Sequence, residues 1–361
     1  MKRLGTGLVF LALAATLSAA ATRAPATVER LYARGLYPVL ASLLSWATGM
    51  VPVSVAELGV LTLVLMLISR LLGALRAGRA QGWGQAVRAI LADLTLALGG
   101  LVLAFVLLWG LNYRRLPFAI SAGLDAAPAS VDELRDLATA LALRANEGRE
   151  GLPEDGRGVM RTTGGPGEVL ARMKAGFDAA ATRYPALAGS RVRPKPLLFS
   201  EALSWLGLTG IYSPFTGEAN VNVAAPESEL PFSASHETAH QRGFAREDEA
   251  NFAGYLACRF HPDPDFNYAG DLAASVHASN ALFAVDRDSW IAVEASRSPG
   301  VKRDLGALRA WAARHEGWAA RASERVNDAY LRTQGQAEGV RSYGRMVDLL
   351  IAERRAERRA K

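Results

Sequence analysis

The chain has 361 residues, half of them hydrophobic, with a formal net charge of +6 and a single cysteine. One cysteine excludes an internal disulfide framework and a cysteine-rich zinc site. The basic residues gather between apolar runs and near the C-terminus rather than among aromatic residues, which favours a membrane protein and predicts no nucleic-acid partner.

The first third of the chain predicts about three transmembrane helices. Their apolar segments are residues 4–22, 53–69 and 94–111, each close to the length that a bilayer requires. The first segment is also compatible with a cleaved signal peptide, because Ser18–Ala21 supplies small residues for a signal peptidase. The further apolar segments favour a retained helix, with the lipid bilayer as partner.

The distribution of arginine and lysine predicts the topology. Lys2-Arg3 and the basic stretch Arg70–Arg88 are expected in the cytoplasm by the positive-inside rule. Three spans then place the rest of the chain on the extracytoplasmic side. We therefore expect a multi-pass protein of the cell membrane, with a membrane region at 1–115 and a soluble domain at 116–361.

The soluble domain is predicted to be mainly helical. Ser130 and Glu133 form a capping box ahead of leucines at helical spacing. Glu218–Val223 alternates in a way that is typical of an edge strand. Ser233 or Ser235 is the expected N-cap of the helix that follows. The fold class is α+β, predominantly α-helical, with transmembrane helices followed by a domain with a small sheet.

The sharpest chemical signal is His-Glu-x-x-His, with His236 and His240 one turn apart on the same helix face. Two such imidazoles can bind one zinc ion, and Glu237 beside them can take a proton from a metal-bound water. Carboxylates for a third ligand follow in Glu247–Glu249, after a chain reversal at Gly243. Glu247 and Glu249 point about 200° apart around a helix, so only one of them can face the metal.

The segment Glu247–Asn251 resembles the Glu-x-x-x-Asp arrangement of zinc peptidases that use a glutamate as third ligand, with asparagine in place of aspartate. The resemblance implies Glu247 as ligand and Asn251 as the residue that holds a ligand histidine through its second ring nitrogen. Glu249 is the alternative ligand.

Peptidases of this class pair extended substrate with an edge strand above the active-site helix. The candidate substrate strand is therefore Ala219, Asn220, Val221 and Asn222. An oxyanion also needs a donor, for which Tyr212, Tyr255, His261 and Arg242 are nearby in sequence, and nothing selects among them.

Three blocks, Gly210–Asn222, His236–Asn251 and Gln336–Arg345, resemble a family of bacterial membrane proteins known as domain of unknown function 3810. The resemblance implies N-terminal spans, a zincin-like domain with an active-site helix, Zn²⁺ as cofactor and a gluzincin-like metalloendopeptidase that hydrolyses a peptide or protein substrate. The alternative is a zinc protein without catalysis that acts in membrane assembly or sensing. Glu237 favours the enzyme, since a structural zinc site needs no carboxylate there.

Overall fold

The computed structural model describes residues 2–189, 192–336, 339 and 345–360. It divides into two compact units. Unit 1 consists of Met1–Leu116 and Ser213–Gly217, and unit 2 of Pro117–Tyr212 and Glu218–Lys361. The prediction of a mainly helical protein with a small sheet is confirmed.

Unit 1 is built from helices. They are α1 (Lys2–Arg23), α2 (Pro25–Thr27), a π-helical segment (Val28–Leu36), α3 (Tyr37–Gly49), α4 (Val55–Gln81), α5 (Trp83–Leu108) and a 3-10 turn (Gly110–Arg114). Within α1, α4 and α5 the segments Lys2–Arg23, Val55–Arg76 and Trp83–Leu108 are long and apolar enough to cross a membrane. The third of these helices begins at Trp83, well before the predicted residue 94, because polar residues ahead of the apolar segment are also helical. These helices indicate membrane association.

Close backbone contact joins α1 to α5. At Gly7 and Gly99 a Cβ atom would overlap the facing backbone, as at small-residue crossings in membranes. Asp93 on α5 pairs with Arg3 at 2.7 Å and with Arg70 at 2.9 Å. These contacts tie the three long helices together.

The segment Ser213–Gly217 packs on α3. Thr48 Oγ1 donates to the carbonyl of Thr216 at 3.1 Å. Gly217 has a φ of +68°, and a Cβ there would lie 2.9 Å from Leu44 Cβ and from Ser45 N. Only glycine fits this position, which accounts for the glycine of the Pro-Phe-Thr-Gly sequence.

Unit 2 contains the remaining elements. Its first half has α6 (Phe118–Ala122), α7 (Val131–Arg149), α8 (Gly165–Arg183), a 3-10 turn (Pro185–Leu187), β1 (Lys195–Pro196), α9 (Ser200–Ser204), β2 (Gly210–Ser213) and β3 (Glu218–Val221). Its second half has α10 (Leu230–Gln241), α11 (Glu247–Arg259), α12 (Pro264–Val285), α13 (Arg287–Ser296), α14 (Pro299–His315), α15 (Trp318–Thr333) and α16 (Met346–Ala360). The sequence also predicts a last helix from about Ser342 to Arg358, and the start of that helix lies outside the described residues.

The sheet has the strand order β1-β3-β2. β1 runs parallel to β3, with Lys195 opposite Asn220 and Pro196 opposite Val221. The prediction of an edge strand at Glu218–Val223 is therefore wrong, because β3 is the central strand and all four of its residues are buried. The flanking strands β1 and β2 have two and four residues, which is too few to show an alternating pattern of polar and apolar residues.

The core of unit 2 lies between α7, α8, α10, α11, α12 and α16. Phe118 packs edge-on against Phe244 and Phe252, with ring centroids 5.6 and 5.5 Å apart. The predicted capping box of Ser130 and Glu133 is confirmed at the start of α7. The predicted N-cap at Ser233 or Ser235 is wrong, because α10 starts earlier, at Leu230.

A second cluster holds a buried polar network around Asp304 on α14. The fully buried Asp304 carboxylate accepts hydrogen bonds from Arg149 Nε at 2.5 Å, Tyr268 Oη at 2.6 Å and Met160 N at 2.8 Å. This Asp304 network joins α7, α12 and α14, and every oxygen of the carboxylate has a partner, as a buried charge requires.

Candidate metal centre

Helix α10 places both motif histidines on one face. The His236 and His240 rings are nearly perpendicular, at 89°, with centroids 4.6 Å apart. Their Nε2 atoms lie 3.0 Å from each other. The i, i+4 spacing of the sequence motif therefore points two ring nitrogens at one place.

A tight reversal of the chain brings the third candidate ligand, Glu247, to the two histidines. Gly243 ends α10 with a φ of +89°, a conformation that costs glycine little. Helix α11 can then begin at Glu247, seven residues after His240. Glu247 Oε2 lies 3.3 Å from His236 Nε2 and 3.5 Å from His240 Nε2.

Gly254 lets the two helices approach closely. A Cβ atom there would lie 3.0 Å from the backbone nitrogen of His236. The small residue therefore allows α11 to pack against the backbone of α10 at the level of the first histidine.

The donor set fits a zinc ion. Zinc bonds of roughly 2.0–2.1 Å in a tetrahedral arrangement place neighbouring donors about 3.3 Å apart. The three separations here are 3.0, 3.3 and 3.5 Å. Among the described residues this is the one group of at least three His, Cys, Asp or Glu side chains whose donor atoms all lie within 4.8 Å of one another. Two imidazoles and one carboxylate leave a fourth tetrahedral position open.

The candidate ligand side chains shift one another's pKa values. Burial opposes protonation of His240, but the charge of Glu247 outweighs it and raises the pKa of His240 to about 9. Burial would also raise the pKa of Glu247, but the two histidines outweigh it and lower that pKa. The opposite directions of these two shifts show that the group favours positive charge beside the Glu247 carboxylate, which a bound cation would also supply.

The backbone orients one of the two histidines. His240 Nδ1 lies 2.7 Å from the Phe244 carbonyl, which can only accept, so Nδ1 carries the proton and Nε2 faces the cluster. Asn251 was predicted to hold a ligand histidine. Its side chain is 3 % exposed, and neither its Nδ2 nor His236 Nδ1 has a hydrogen-bond partner among the residues that the structure describes.

Glu237 lies under strand β2. Its carboxylate accepts a hydrogen bond from the Tyr212 backbone and is 5 % exposed. A Cβ atom at Gly210 would lie 2.5 Å from Glu237 Cγ and 2.6 Å from Oε1, so glycine is needed for this approach. Burial raises the pKa of Glu237, with the charge of Glu247 adding to the effect and the two histidines opposing it.

The alternative ligand Glu249 is engaged elsewhere. It accepts from the Phe118 backbone N–H and from Arg246 Nη1, both at 2.8 Å. The structure thus groups Glu247, and not Glu249, with the two histidines.

The candidate oxyanion donors are separated from one another. Tyr255 is buried, with its hydroxyl 2.8 Å from Arg144 and 2.9 Å from Arg259. His261 stacks on Phe266 with centroids 3.7 Å apart. Tyr212 contacts the motif through the hydrogen bond that its backbone donates to Glu237.

The candidate substrate strand is fully enclosed. Ala219, Asn220, Val221 and Asn222 are at most 1 % exposed. The Asn222 amide is held by Ser204 Oγ at 3.0 Å and by the Leu208 carbonyl at 2.8 Å. The strand at the edge of the sheet and beside the motif is β2, which takes over the position that the sequence assigned to β3.

A cleft of about 560 Å³ opens onto His236 and Glu237. It is also lined by Glu229, Asn251 and His277. Sequence reasoning missed Glu229 and His277. Glu229 precedes His236 by seven residues, a two-turn spacing that was visible on the motif helix, whereas His277 is a lone histidine among the small and apolar residues of α12.

Fold and cluster together define a helical, membrane-associated protein with a largely buried His-His-Glu group, next to a glutamate that packs against a short edge strand. Residues 32–351 match the family described as "Protein of unknown function (DUF3810)". The chain therefore belongs to that family. No curated protein matches the chain significantly, and neither does any solved structure.

Proposed function

We propose that the protein is a membrane-anchored, gluzincin-like zinc endopeptidase with a zincin-like catalytic domain. The observation that carries the proposal is the position of Glu237 beside three converging donor atoms, in a cleft and under an edge strand. His236, His240 and Glu247 would hold the ion. Zinc, when bound, supplies a Lewis acid and an activated water.

Residues of the chain itself would transfer the proton, orient His240 and position the substrate. Glu237, as general base, takes a proton and later returns it to the leaving amine. The Phe244 carbonyl keeps His240 in one tautomer and orientation. An extended peptide would bind beside strand β2, which is at the edge of the sheet and next to Glu237, and would add to the sheet as a further strand.

The proposed topology places the catalytic domain outside the cytoplasm. Three spans with basic residues at Lys2-Arg3 and Arg70–Arg88 favour this orientation by the positive-inside rule. Its substrate would then be a peptide or protein on the extracytoplasmic side of the membrane.

Metal analysis of the detergent-solubilised full chain tests the site first. We expect about one zinc per chain, lost in a His240→Ala variant and kept in a His315→Ala variant. His315 is a matched control because its ring bonds Glu201 and the Trp311 carbonyl, away from the cluster. A chain free of zinc under non-chelating conditions would contradict the proposed site.

A peptide library then tests catalysis. Wild type should cut at least one sequence, and Glu237→Gln should retain zinc but lose activity by a factor of 10² or more. Zinc without cleavage by wild type would favour the alternative, a non-catalytic zinc protein of membrane assembly or sensing.

A further inference from the structure

The cleft beside His236 extends along α10 to a second group of side chains. Glu229, Asn251 and His277 line it and are together called the Glu229 wall. None of the three is a ligand or the proposed base.

Glu229 is a carboxylate without a cation. Ser233 Oγ donates to it at 3.1 Å, and within the described part of the chain no lysine or arginine pairs with it. Burial raises the pKa of Glu229 to about 7. A carboxylate in this setting gains strongly from a positively charged partner, which replaces the lost hydration.

Asn251 provides the second observation. Its side chain is 3 % exposed and lines the same cleft, yet its Nδ2 donates to no described residue. A buried amide N–H without a partner is costly, and a carbonyl oxygen of a ligand would satisfy it. The His277 ring likewise has no hydrogen bond to any residue that the structure describes, so it too can serve a ligand.

Negative side chains outnumber positive ones in the cleft. Its described lining contains four glutamates and one arginine: Glu229, Glu237, Glu316, Glu324 and Arg321. This excess of negative charge attracts cations and repels acidic ligands.

We propose that the Glu229 wall binds a positively charged side chain of the peptide substrate, with Asn251 donating to a peptide carbonyl. The proposal rests on the peptidase function proposed above. Glu229 is the N-cap residue of α10 and precedes His236 by seven residues, which is about 10 Å along the helix axis. An extended peptide advances about 3.3 Å per residue. The charged residue therefore lies within about three positions of the bond held at His236.

Peptide binding tests this without any need for turnover. We would use the detergent-solubilised, zinc-loaded full chain carrying Glu237→Gln, and fluorescent peptides that place lysine or its neutral analogue norleucine at successive positions. Fluorescence anisotropy should show at least about tenfold tighter binding of one lysine peptide than of its norleucine partner. Adding Glu229→Gln should remove the difference.

Glu324→Gln is the matched control. It removes the same charge from the same cleft at an exposed position, where screening leaves an effect of about twofold or less. Melting temperature and zinc content verify that each variant is folded.

Equal affinities for the lysine and norleucine peptides, or no binding of either, overturn the proposal. So does a preference that survives Glu229→Gln but is lost in Glu324→Gln. A lysine preference in a protein that cuts nothing would sink the peptidase and keep the binding site. If wild type cleaves peptides but shows no preference for a charged residue, the proposed binding site is wrong and the peptidase function stands.

Discussion

Gly210→Ala places one methyl group where Glu237 needs space. The new Cβ would lie 2.5 Å from Glu237 Cγ, whereas carbon atoms in contact are normally about 3.5–4.0 Å apart. The carboxylate or strand β2 must therefore move by about 1 Å. A displacement of that size at a reacting group costs on the order of 10²-fold in rate. We expect such a loss in kcat, with zinc content unchanged because no ligand is touched.

The assay compares initial rates on a peptide that wild type cleaves, together with zinc content and melting temperature. The backbone of Gly210 lies outside the left-handed region, so alanine itself is tolerated there. Gly306→Ala is the control, since a Cβ on that glycine of α14 meets no atom within 4 Å and should stabilise the helix by about 1 kcal/mol. Full activity of Gly210→Ala would refute the placement of Glu237 under β2.

Three further predictions concern the fold of unit 2. Asp304→Ala leaves the buried Arg149 side chain without its carboxylate partner and should lower the free energy of unfolding by about 3–5 kcal/mol. The melting temperature should fall accordingly, and an unchanged melting temperature would show that the Asp304 network is dispensable. Cys258 is fully buried, and burial raises the pKa of its thiol to about 12. Maleimide at pH 7.5 should therefore label Cys258 only after unfolding, and rapid labelling of the native chain would contradict this packing. Hydrogen bonds from Arg355 and the Ser130 backbone lower the pKa of Glu133 to about 2, so its stabilising effect is complete above about pH 5 and is lost as the pH falls towards 2. The melting temperatures of wild type and Glu133→Gln should accordingly differ at pH 7 and converge near pH 2, and a constant difference would rule out this linkage.

Local signals in the sequence predicted the grouping of the candidate ligands and the start of helix α7. The i, i+4 histidines, the reversal at Gly243 and the capping box of α7 each depend on residues close together in the chain. The physical rule behind each, helix periodicity, free φ or a side-chain cap, acts within one or two turns. Such features can therefore be found without knowing the tertiary structure.

Features that depend on long-range pairing were not predictable in the same way. Strand β3 is central, and not at an edge, because β1 pairs with it. Strand β1 has only two residues and is distant from β3 in the sequence, so this pairing leaves no local pattern. The place of His277 beside the motif likewise depends on how α12 packs against α10 and α11. The period of a single segment carries no information about its neighbours.

The three proposed ligands are close together in the sequence, and this proximity affects how binding of the proposed ion would be linked to folding. All three lie within residues 236–247, so bringing them together closes only short loops, at a small entropic cost. Even the unfolded chain then retains a local chelating segment, and affinity for the unfolded state subtracts from the stabilisation that a bound ion provides. The ion would accordingly raise the melting temperature by less than its affinity for the native site implies. Holding the domain together would remain the task of the core around Phe118, Phe244 and Phe252.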